Sequence, residues 1–141
     1  MDIGQRSWEL MLQLTQFRSI SESPGEGEIA RFIHSRLAGH PYFQKNPEML
    51  RLTPLPAPNS PAVVAALIRG QGKQTVMFMN HHDVVDIEDY GTLKDLAFDP
   101  VRLTKSLDLF TLPEAARRDL ESGQWVFGRG TMDMLYGLAI Q

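Results

Sequence analysis

Two short runs in this chain hold the residue types that bind metal ions: Asn80–Val85, NHHDVV, and Gly128–Asp133, GRGTMD. An imidazole beside a carboxylate that can hold its far nitrogen is the smallest unit of a histidine–metal site with its support. If the apolar run Thr75–Met79 that leads into the first motif is a buried strand, side chains i and i+2 share a face. His81 and Asp83 would then point one way and His82 the other. In the second motif, Gly128 and Gly130 permit a tight turn or a close backbone approach. Asp133 follows at the mouth of the next helix. A dinucleotide-binding loop is excluded, because Asp133 stands at the third glycine of G-x-G-x-x-G and would repel a pyrophosphate. There is no Walker loop and no G-x-S-x-G elbow. With no cysteine, disulfides and thiolate ligands are excluded as well, so a metal here must sit on histidine and carboxylate.

The other candidate groups have plainer readings. His82 packs or hydrogen-bonds, while His34 and His40 are surface or capping residues of a helix. Asp86, Glu88, Asp89 and Asp95 lack the spacing and central glycine of a calcium loop and form a solvated segment. Met77, Met79, Met132 and Met134 fill a core. Arg117–Arg118 is an exposed helix face.

The elements that must position these groups follow from patterning. Arg6–Phe17 carries a broad helical stripe through Trp8, Met11, Leu12, Leu14 and Phe17. Ser23, Pro24 and Glu26 predict a capping box at the start of a second helix, which Gly39 and Pro41 end. Met49–Leu55 alternates weakly as a strand. The prolines at 54, 56, 58 and 61 make a loop or sheet edge, and Ala62–Ile68 is a second apolar run. The short turn Arg69–Gln74 predicts that this run and Thr75–Met79 are antiparallel neighbours. The Asp-rich stretch from Asp86 to Leu112 is too long to be a plain connection. Pro113–Ser122 reads as a short helix stopped by Gly123. Met132–Gln141 reads as the opening of a helix with no stop signal, as expected of a domain cut short.

At 141 residues, 43% apolar and 22% charged, the chain suits one modest globular core. A net charge of −3 offers no attraction for nucleic acid or an anionic membrane. No run approaches the ~20 apolar residues of a membrane span, and the first residues do not read as a secretory signal. A cytoplasmic location fits.

NHHDVV followed by GRGTMDM and Gly137 resembles the metal-site signature of the zinc-dependent aminoacylase, acetylornithine deacetylase and glutamate carboxypeptidase family of metallopeptidases. SPGEGE matches that family's N-terminal pattern, and the similarity runs from Trp8 to Ile140. Within the family, DVVDIEDYGTLKDLAFDP and WVFGRGTMDM are most similar to the arginine-utilisation proteins. So is the long spacer, which sets Asp83 and Asp133 fifty positions apart.

The resemblance implies an α/β fold, a mixed β-sheet flanked by helices, with residues 1–141 forming the N-terminal half of a single catalytic domain. It makes His81 a zinc ligand, Asp83 the catalytic partner that orients it, and Asp133 a bridge between two zinc ions, with cobalt or manganese as substitutes. A cis peptide follows the bridging aspartate in the family, which makes Asp133–Met134 a candidate. The implied activity is hydrolysis of a small peptide or N-acyl amino acid next to a free carboxylate, in arginine catabolism. A homodimer would form through an inserted domain absent here. Leu135 departs from the lysine that many members carry. The family's paired glutamates, third carboxylate ligand and last histidine have no counterpart in this chain. Alone, it should therefore bind zinc poorly and catalyse nothing. The alternative is a non-catalytic relative that keeps the fold for binding or assembly.

Overall fold

A computed structural model describes residues 2–141. The chain divides into two compact units: Phe17–Asp83 forms one, and the stretch through Gln16 joins Val84–Gln141 in the other.

In the unit Phe17–Asp83, α2 (Pro24–Ala38) packs on an antiparallel pair, β1 (Leu50–Pro54) and β2 (Ala62–Ala66). The register runs from Leu50 opposite Ala66 to Pro54 opposite Ala62. Ile29 and Ala30 of α2, Phe43 of the short helix α3 (Pro41–Lys45), Leu50 and Ala62 are all buried. Their removal from water supplies the main stabilisation of this unit. α2 begins and ends where its sequence predicts, with Pro24 first and Gly39 as its C-cap. The capping box is replaced by another arrangement. The Ser23 hydroxyl donates to the Arg18 carbonyl, and the Glu26 carboxylate accepts from the Glu22 N–H at 2.9 Å. Gly25 and Gly27 are required for space, since a Cβ on Gly25 would collide with the Arg18 carbonyl and one on Gly27 would lie 2.6 Å from the Ser60 carbonyl. His40 caps α3, its Nδ1 accepting from the Tyr42 N–H at 3.3 Å.

Further expectations fail in this unit, among them that Met77 and Met79 fill a core. Thr75–Met79 forms no strand, and Val76, Met77, Phe78 and Met79 are 76, 77, 70 and 81% exposed. Four consecutive exposed residues leave neither face of the run packed. Its supposed neighbour, β2, pairs with β1 instead, and the Leu67 N–H extends that pairing to the Met49 carbonyl. β-propensity is a preference for a ladder and a packed face. Among the described residues no strand offers this segment either. The sheet found here is accordingly two-stranded and antiparallel rather than mixed, within an α/β composition.

In the other unit, α1 (Ile3–Thr15) packs against Thr131–Leu135 and α6 (Tyr136–Ile140). Met11, Leu14, Val84, Ala97, Phe98, Leu103, Leu135 and Ala139 are its buried apolar residues. The Asp-rich stretch contains a kinked 3₁₀ segment, Glu88–Leu96, and the helix α4 (Pro100–Ser106). The Asp99 carboxylate caps α4 through the Arg102 N–H at 3.0 Å, with Pro100 in the first turn. Asp99–Pro100 is a helix-start signal that the patterning above passes over. α5 (Glu114–Ser122) stops, as expected, at Gly123 in the left-handed region. No helix among the described residues is long and apolar enough to cross a membrane.

Candidate metal centre

The motif NHHDVV sorts its two histidines by their hydrogen bonds. His81 Nδ1 lies 2.9 Å from the Asp83 backbone carbonyl and 3.4 Å from its carboxylate Oδ1. A carbonyl oxygen can only accept, so Nδ1 carries the proton and the lone pair of the neutral ring lies on Nε2. The hydrogen bond that fixes the far nitrogen of His81 thus runs to the Asp83 backbone carbonyl, whereas the carboxylate expected to hold it stands 3.4 Å away, in a stretch that forms no strand. His82 is committed elsewhere. Its Nε2 donates to the Ala62 carbonyl at 3.1 Å, its backbone carbonyl accepts from the buried Ser19 hydroxyl at 2.8 Å, and its Nδ1 is buried. Both bonds tie His82 into the packing on β2 and the segment before α2.

The residues that orient this segment include two that the motif reading misses. Ser19 holds the His82 carbonyl, and the Ser21 hydroxyl donates to Asp83 Oδ2 at 2.7 Å. One carboxylate oxygen of Asp83 therefore faces His81 and the other accepts from Ser21. The only advance signal is the run Arg18–Ser23, RSISES, whose small hydroxyl side chains suit local positioning.

Asp133 belongs to the other unit, where the glycines of GRGTMD shape its turn. Gly130 has φ +78°, and its carbonyl accepts from the Leu135 N–H at 3.0 Å, an i→i−5 bond that makes the turn wide. Thr131 is buried and its hydroxyl donates to the Gly128 carbonyl at 2.9 Å. Asp133 itself is exposed, with φ −112° and ψ 98°, and the Asp133–Met134 peptide is cis, at the position the family resemblance marks. Leu135 is 1% exposed and lies over Gly130. An apolar side chain suits that place, because a lysine there would carry its charge out of water.

The donor chemistry of these motifs fits zinc: an imidazole with its proton fixed on the far nitrogen and the carboxylate of an exposed aspartate. The number of donors does not complete a site. Among the described residues, no group of three or more His, Cys, Asp or Glu side chains could hold a metal ion, whereas a catalytic zinc takes three protein ligands and a water.

No family model and no solved structure matches the chain. It is 45% identical over 135 residues to YqjN, an uncharacterised protein of Bacillus subtilis (strain 168), a match covering 94% of the chain and 24% of the relative. It is 36% identical over 143 residues to the protein RocB of the same organism, covering 99% of the chain and 25% of the relative. From one end to the other, then, the chain is similar to about a quarter of two much longer proteins.

Proposed function

We propose that this chain carries the first metal-binding elements of a zinc-dependent amidohydrolase or peptidase acting on a small carboxylate-bearing amide. The observation that carries the reading is the tautomer of His81: with Nδ1 donating to the Asp83 backbone carbonyl, Nε2 is the nitrogen a metal would take. The resemblance of both motifs to the dizinc metallopeptidases supports His81 and Asp133 as ligands and Asp83 as the residue orienting His81. Similarity to RocB, taken with the likeness of the spacer to arginine-utilisation proteins, supports a role in arginine utilisation. The bound ions would polarise an amide carbonyl and activate a water. This chain's own part is to hold the His81 ring, through the Asp83 backbone carbonyl, in one orientation and tautomer.

The test is metal analysis of the full-length gene product, followed by a screen of N-acyl amino acids and short peptides. Zinc-dependent release of the amine, abolished by His81→Ala and by Asp133→Ala, is the expected result. Turnover that survives chelation, or a protein that takes up no metal, refutes the reading. A protein without turnover that still binds these amides would point to the non-catalytic alternative.

A further inference from the structure

The proposed reaction makes no use of the long spacer between Asp83 and Asp133, yet part of that spacer is fastened to the turn that carries Asp133. Glu88–Leu96 is held within itself by the Lys94–Glu88 ion pair and by the Asp86 carboxylate, which accepts from the Glu88 N–H at 2.9 Å. Arg129, in the middle of GRGTMD, binds the same segment. Its N–H donates to the Ala97 carbonyl at 2.8 Å, its guanidinium pairs with Asp89, and it stands 5.0 Å from the centroid of the Tyr90 ring. The Arg129 side chain is 18% exposed and that of Asp89 68%, so the arginine is the embedded partner. Burial pushes the Tyr90 hydroxyl above its ordinary pKa, and the Arg129 charge offsets part of that rise.

A metal-binding carboxylate must be held to within about 0.5 Å of its productive place. Gly128 and Gly130 contribute no side chain to hold this turn, so its direction depends on the residues between and after them. Thr131 fixes it from within through the Gly128 carbonyl, and Arg129 fixes it from without through the spacer. The geometry points to Glu88–Ala97 as a strap, with Arg129, Asp89 and Tyr90 as positioning residues that set the direction of the Asp133 carboxylate. This inference rests on the reading of Asp133 as a zinc ligand.

The experiment compares Arg129→Gln, Arg129→Lys and Asp89→Asn in the full-length gene product. Zinc affinity is measured by chelator competition, and amide hydrogen exchange is followed across residues 86–99. Arg129→Gln should weaken zinc binding about 10–100-fold, the usual effect of losing a residue that orients a ligand, and should speed exchange in the strap. Arg129→Lys keeps the charge but not the planar fork and should fall between. If Arg129→Gln fails to fold, Arg129→Lys and Asp89→Asn put the same question. Faster exchange with unchanged zinc affinity would overturn the positioning role, and unchanged exchange would overturn the strap itself. A parent protein that takes up no zinc would instead sink the metal reading, and the positioning role with it.

Discussion

Replacing Gly130 by alanine separates backbone strain from crowding in the turn that carries Asp133. Gly130 sits at φ +78°, and a Cβ built there would lie 2.5 Å from Val84 Cγ1 and 3.1 Å from Leu135 Cδ1. Val84 and Leu135 are 4% and 1% exposed, so neither can swing into solvent to make room. Gly123, after α5, has nearly the same backbone at φ +65°, but a methyl added there would meet nothing within 4 Å. Left-handed geometry costs an L-residue about 1–2 kcal/mol, which is the whole expected effect of Gly123→Ala. Gly130→Ala adds overpacking of about 1–3 kcal/mol, for a total of about 2–5 kcal/mol. Both free energies come from the shift in denaturation midpoint at constant slope. Gly130→Ala costing no more than Gly123→Ala, within about 0.5 kcal/mol, would refute the argument that the turn is closed against Val84 and Leu135.

The two histidines of NHHDVV should behave oppositely in the same assay. Ser19→Ala, which removes the donor to the His82 carbonyl, should cost about 1–3 kcal/mol, and His82→Ala should also destabilise, whereas His81→Ala should stay within about 0.5 kcal/mol of the parent. Equal losses at His81 and His82 would contradict their separate environments. Tyr90 supplies a pH test. Its pKa is raised above 10.0, chiefly by burial, with Arg129 lowering it and Asp89 raising it. Its contribution to stability is therefore complete below pH 10.0, the unfolded value, and is lost as pH climbs through the higher folded value. Arg129→Gln should raise the Tyr90 titration further in absorbance at alkaline pH, read against a Tyr90→Phe blank; a downward move would refute the contact.

Local chemistry determined much of this protein by itself. Proline, glycine and the apolar stripe place α2 and α5 nearly to the residue, because caps and breakers act within one turn of chain. That His81 and Asp83 meet was legible for the same reason, since they stand two residues apart, but that the bond runs to the Asp83 backbone carbonyl was not. Asp99–Pro100 carried an equally local signal for α4, overlooked inside an acidic stretch. What tertiary structure alone decided was every partner distant in the sequence: β1 rather than Thr75–Met79 beside β2, Ser19 and Ser21 against the NHHDVV segment, and Arg129 against Asp89 and Tyr90. Thr75–Met79 shows why. Its residues state that a strand would be favourable, but a strand exists only where another strand supplies its hydrogen bonds, and no property of those five residues says which segment that is.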